Sequence, residues 1–136
     1  MVRILVVDDD PVFLTLVTQE LANTGHAALV AGSARAALKL LDAGAPVALV
    51  LTDILMPDMD GIELILTLKR AYPTLPIIAV STGGSWPDGV TLDSAQTLGA
   101  DRVLRKPIRP GLIGATIATL LRPVPAGGAA ETVPAG

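Results

Sequence analysis

The stretch Val47 to Gly61, VALVLTDILMPDMDG, limits what this chain can become more than any other. Val47 to Leu51 is an unbroken apolar run, the pattern of a strand covered on both faces in a parallel sheet. The run turns acidic at Asp53. Open α/β sheets bind ligands beyond the carboxyl ends of their strands, so Asp53 is expected at the edge of a site. Pro57 and Gly61 break the chain into a short loop before a new helix, which predicts an Asp53 facing open space from a rigid base. Asp also serves turns and helix starts, so its meaning depends on what the other strands deliver.

The rest of the chain repeats the alternation. Ile4 to Val7 reads as a first strand, closed by Asp8, Asp9 and Asp10. Pro11 suits the first turn of a helix, and Phe13, Val17 and Leu21 recur at helical spacing before Gly25. Asp10 and Asp58 read as helix-start and turn residues. Ala28 to Val30 is a weaker second strand. Ser33 caps a helix whose Ala34, Ala37, Leu38 and Leu41 share one face, stopped by Gly44 and Pro46. After the central strand a helix is predicted from about Gly61 to Tyr72, ended by Pro73. Ile77 to Val80 is a fourth buried strand closing in Ser81, and Thr82 to Gly89 is a loop by composition. A short helix through Thr91 to Leu98 precedes a brief fifth strand, Val103 and Leu104. Lys106 and Pro107 follow, then a last helix from about Pro110 to Leu121 with Ile113, Ile117, Leu120 and Leu121 on one stripe. Five βα units define an α/β protein with a parallel sheet.

A length of 136 residues fits one domain, and a chain 51% hydrophobic but only 2% aromatic must build its core from Val, Leu, Ile and Ala. The net charge of -3 and the lack of a basic stripe exclude a dedicated nucleic-acid surface. Absence of Cys excludes disulfides, thiolate metal sites and Cys nucleophiles. MVRILVVDDD does not read as a secretory signal, and no stretch approaches the ~20 apolar residues of a membrane span. A soluble cytoplasmic protein with no membrane partner is expected. Residues 1–122 form the expected domain. From Pro123 the chain, PVPAGGAAETVPAG, has little to bury, so 123–136 is predicted to be a disordered tail with no output domain behind the sheet.

Strands of a parallel sheet share one carboxyl edge. Strand one brings Asp8 and Asp9 there, strand three Asp53, strand four Ser81, and Lys106 follows strand five. Three carboxylates so close repel one another unless a cation lies among them, and a hard divalent ion with oxygen ligands, Mg²⁺ above all, suits the set. Lys106 offers a mobile positive charge and Ser81 a hydroxyl, both suited to a developing phosphoryl group. Asp53 can act as the nucleophile, forming an acyl phosphate.

The set VVDDDP, TDILMPDMDG, AVST and RKPI resembles the receiver domain of two-component response regulators over about residues 1–122. The resemblance implies a flavodoxin-like, doubly wound (βα)₅ fold with strand order 2-1-3-4-5. It implies that Asp53 is the phosphoacceptor, supplied by a sensor histidine kinase or histidine phosphotransfer protein. Asp9 would bind Mg²⁺ directly, Asp8 mainly through water, and the backbone carbonyl of Leu55 would complete the ligands. Ser81 and Lys106 would each hold a phosphoryl oxygen, with the Lys106–Pro107 bond in cis. Such a protein is not an enzyme beyond Mg²⁺-dependent self-phosphorylation and autodephosphorylation. Its signal would leave through the face made by the fourth helix, fifth strand and fifth helix. The sequence departs from the family where an aromatic often stands three residues before the Lys: here the residue is Val103. The positions that tune dephosphorylation are Leu55 and Gly83, neither able to orient a water, which predicts a long-lived phosphoprotein. Trp86 lies in the loop expected to respond to phosphate.

Two other readings compete. Asp8-x-Asp10-x-Val12 also looks like the opening of haloacid-dehalogenase phosphatases, but those need carboxylates downstream of the Lys, where only Glu131 stands. A receiver-like interaction module independent of phosphate is the third. His26, the chain's single His, reads as a surface residue rather than a phosphocarrier.

Overall fold

Apolar runs in parallel strands need cover on both faces, and the computed structural model shows how this chain supplies it. The structure describes residues 2–54, 61–81 and 99–121. In order they form β1 (Arg3–Val7), α1 (Pro11–Asn23), β2 (Ala27–Ala31), α2 (Ala34–Asp42), β3 (Leu49–Asp53), α3 (Gly61–Ala71), β4 (Ile77–Ser81), β5 (Arg102–Arg105) and α4 (Leu112–Leu120). All pairings are parallel, in the order β2-β1-β3-β4-β5, which is the expected flavodoxin-like arrangement. The short helix expected at 91–98, the loop after Ser81 and the tail from 123 lie outside the described residues.

Alternation along each strand divides the core in two. Leu5, Val7, Val50, Ile77 and Ala79 point to one face, where Ala34, Ala37 and Leu41 of α2 and Leu64, Ile65 and Leu68 of α3 cover them. Ile4, Val6, Leu49, Leu51, Ile78 and Val80 point to the other and meet Val17 and Leu21 of α1 with Ile113 and Ile117 of α4. The sheet is thus doubly wound, and β1, β3 and β4 lie wholly inside except for Arg3.

Most elements extend or stop within one residue of expectation, and two are displaced by two residues. The apolar run predicts a strand over Val47 to Leu51, whereas β3 spans Leu49–Asp53. Apolarity marks burial, but pairing with β1 begins at Leu49 and pairing with β4 continues to Asp53 opposite Val80. Polar Thr52 and Asp53 are therefore strand residues. The last helix starts at Leu112, not Pro110, because Gly111 stands before it with φ +87°, a left-handed conformation that cannot continue a right-handed helix.

Local chemistry explains the helix starts. Asp10 caps α1 by accepting from the Val12 amide, with Pro11 at the first position, and Ser33 caps α2 by accepting from the Ala36 amide. α4 has no side-chain cap of its own. Instead Glu20 of α1 accepts from the Gly114 amide at 2.9 Å. A Cβ at Gly114 would meet Thr24 Cγ2 at 3.0 Å, so glycine lets the two helices close on each other.

Leu51 is fully buried in the middle strand. Leu51→Ala should lower the unfolding free energy by about 2–5 kcal/mol, through lost transfer energy and the cavity left behind, as read from urea denaturation.

Candidate functional site

The carboxyl edges of β1, β3 and β4 bring the expected acids together because these strands are in register. Asp8 follows β1, Asp53 ends β3 and Ser81 ends β4. One carboxylate oxygen from each of Asp8, Asp9 and Asp53 lies within 4.8 Å of the others. Asp8 is 0% exposed and Asp53 4%, while Asp9 is exposed at the mouth. The open position expected for Asp53 is thus corrected. Its place inside the ladder draws it under the rim, and Asp9 alone of the three meets solvent.

Each buried carboxylate uses one oxygen for local anchoring and turns the other inward. Asp8 Oδ1 accepts from the Asp10 amide at 2.9 Å, and its Oδ2 accepts from Lys106 Nζ at 2.8 Å. Asp53 Oδ1 accepts from the Ile54 amide at 2.8 Å, and its Oδ2 lies 3.9 Å from Lys106 Nζ. Such side-chain to backbone bonds fix the carboxylates before any ligand arrives. Lys106 is positioned from its own backbone as well: its amide donates to the Ser81 carbonyl at 2.7 Å. The Lys106–Pro107 peptide is cis, as expected. Ser81 is buried, 1% exposed, beside this contact.

The donor set is all oxygen, compact and negative, with its deepest member fully buried. A small hard cation such as Mg²⁺ fits that chemistry. Leu55, the expected carbonyl ligand, lies outside the described residues, as do Gly83 and Trp86.

Three features were not foreseen. Phe13, read as part of the core stripe of α1, has its ring centroid 4.0 Å from Lys106 Nζ. The only sequence signal was a lone Phe four residues past Asp9. A groove of about 440 Å³ opens beside the site, lined by Val12, Phe13, Leu16, Glu20, Pro107 and Ile108 among others. At its edge Val12 and Leu16 expose large apolar side chains. His26, expected at the surface, is half-buried, and its Nδ1 is buried without a hydrogen-bond partner among the described residues.

A doubly wound parallel sheet carrying acids, a hydroxyl and an ammonium at its carboxyl rim defines a class of flavodoxin-like α/β proteins with a polar site at the ligand-binding edge of their strands. Within it the chain belongs to the response regulator receiver domain family, whose model matches residues 4–118. It is 36% identical over 133 residues to the response regulator MprA of Mycolicibacterium vanbaalenii, covering 96% of this chain and 55% of that protein. It is 32% identical over 120 residues to the alkaline phosphatase synthesis transcriptional regulatory protein PhoP of Bacillus subtilis, covering 88% of this chain and 48% of that one. The chain thus spans about half the length of these relatives, and 23% of the transcriptional regulatory protein GlrR of Escherichia coli. Among solved structures, the response regulator protein TrrA of Thermotoga maritima, in complex with Mg²⁺ and BeF, superposes with a TM-score of 0.77 at 28% identity, covering 89% of this chain and all of that one. A CheY-like receiver domain protein of Methanospirillum hungatei gives 0.76 at 30%, covering 88% and 94%. No described helix is long and apolar enough to cross a membrane.

Lys106 competes with any cation for Asp8 Oδ2. Lys106→Ala should therefore tighten Mg²⁺ binding by about tenfold, because a charge-assisted bond of about 1.5 kcal/mol no longer has to be displaced. Calorimetric Mg²⁺ titrations of both proteins would check this; Asp8→Asn should weaken binding.

Proposed function

We propose that the chain is a signalling receiver that takes a phosphoryl group onto Asp53 from the phosphohistidine of a sensor kinase or phosphotransfer protein. The observation that carries this reading is the convergence of Asp8, Asp9 and Asp53 within 4.8 Å, with Lys106 Nζ 3.9 Å from Asp53 Oδ2. It turns over no external substrate. Its reactions are its own phosphorylation and dephosphorylation, carried out in the cytoplasm, where its donor is charged from ATP.

Transfer begins with Asp53 Oδ2, held by the Ile54 amide through the other oxygen. A P–O bond forms to this oxygen as the P–N bond of the donor breaks, and the bonding pair returns to the imidazole nitrogen. Bound among Asp8, Asp9 and Asp53, with the Leu55 carbonyl as the family resemblance implies, Mg²⁺ would neutralise charge between carboxylates and phosphoryl oxygens. Lys106 moves toward a phosphoryl oxygen and the Ser81 hydroxyl donates to another, which stabilises the charge developing on the group. The donor protein approaches across the rim beside Lys106 and Pro107, where the apolar groove and the exposed Val12 and Leu16 can seat a phosphohistidine-bearing helix. The new charge on Asp53 then redistributes the loops at the rim and changes which proteins the domain binds.

Incubation with acetyl phosphate and Mg²⁺ should add one phosphoryl group by mass spectrometry, and Asp53→Asn should abolish it. An unlabelled wild type, or equal labelling of the variant, would overturn the reading. With Leu55 two residues past the acceptor in sequence and Gly83 two past Ser81, neither able to orient a water, the phosphoprotein should persist for hours; decay within seconds in the absence of a phosphatase would contradict that. Leu16→Asp should leave labelling by acetyl phosphate intact and slow transfer from whichever autophosphorylated kinases serve the wild type.

A further inference from the structure

Resting on the receiver reading, we infer that Phe13 is a positioning residue for Lys106: its ring face holds the ammonium at the mouth of the site independently of the carboxylates. A lysine reaches its target on a flexible four-carbon stem, so its usefulness depends on what restrains the charged end. Besides the looser 3.9 Å approach to Asp53 Oδ2, two restraints are in place. One is the 2.8 Å ion pair with Asp8 Oδ2, and the other is the Phe13 ring, 4.0 Å from Nζ to centroid.

The two respond differently to the reaction. Asp8 belongs to the cluster that suits a divalent cation, so cation binding weakens its hold on Lys106. The negative face of an aromatic ring attracts a cation without offering a ligand to Mg²⁺ under these conditions, and it gains strength where water is partly excluded. Lys106 is only 16% exposed at its side chain. Phe13 therefore keeps the ammonium within reach of Asp53 Oδ2, 3.9 Å away, while the Asp8 contact is given up.

The ring is itself fixed. Phe13 is half-buried on α1 and packs on the cluster of Val17, Leu21 and Ile113, with Ile108 beside it. Helical geometry sets its direction, since Asp10 caps α1 and Pro11 opens it three and two residues earlier. Val103 packs on the opposite side of the sheet, against the α2 and α3 core, so the aromatic partner of this lysine comes from the first helix rather than from β5.

Phe13 is the chain's only phenylalanine, so biosynthetic incorporation of a ring-fluorinated phenylalanine alters this one side chain while keeping its shape. The full chain carrying fluorinated Phe13, together with Phe13→Leu and Phe13→Tyr, would be titrated with beryllofluoride at saturating Mg²⁺. Fluorination and Phe13→Leu should each weaken beryllofluoride binding by about threefold to tenfold, the span expected for loss of a partly desolvated cation–π contact, and Phe13→Tyr should restore it. The Lys106 side-chain methylene protons next to Nζ should show an upfield ring-current shift in the wild type and Phe13→Tyr, lost in Phe13→Leu. Equal beryllofluoride affinity in wild type and fluorinated protein, or failure of Phe13→Tyr to restore it, overturns the role of Phe13 while leaving the receiver reading intact. A wild type that binds no beryllofluoride and takes no label from acetyl phosphate overturns both.

Discussion

A carboxylate with no access to water cannot stand alone, and the pairing of Asp8 with Lys106 is what makes the rim of this sheet tenable. The two residues are 98 positions apart, one just past the inner strand β1 and the other just past the edge strand β5. Their contact spans the site over β3 and β4 and sets the Lys106 ammonium 3.9 Å from Asp53 Oδ2. The amide of Lys106 on the Ser81 carbonyl and the amide of Ile54 on Asp53 hold the same rim from the backbone side. Electrostatic need and strand register thus agree on one place for the polar cluster.

β1, β3 and β4 have their apolar side chains locked between two helix layers, and close-packed interiors resist gradual deformation. On the proposed function, a charge added at Asp53 would find no compliant neighbour in the sheet below it and would act along the edge, on Lys106 and, through it, on Phe13.

Much of this was legible in the sequence because strand ends in a parallel sheet need no side-chain detail to be brought together. Asp8, Asp9, Asp53, Ser81 and Lys106 could be placed on one edge from apolar runs and their polar terminators alone, and the strand order followed from the family resemblance. What escaped depends on contacts between distant segments. Hydrophobicity located the burial of Val47 to Leu51 but not the hydrogen-bond ladder, which carries Thr52 and Asp53 two residues further inside. Phe13 fits a helical stripe equally well whether it faces only aliphatic neighbours or also a lysine delivered from β5. The start of α4 was obscured because a glycine's handedness and a carboxylate from α1, rather than a local Ser or Asp, define it.

The hydrogen bond from Gly114 to Glu20 has a bearing on how the protein is born. Its partners are separated by 94 residues, so during translation Glu20 leaves the ribosome long before the turn it will complete. The first helix can wind early on its own Asp10 and Pro11 and lay Val17 and Leu21 on the strands, but the part of that layer which Ile113 and Ile117 fill stays open until they are synthesised. One of the two core layers thus stays incomplete until the segment of α4 emerges, and that helix acts as the latch that shuts it.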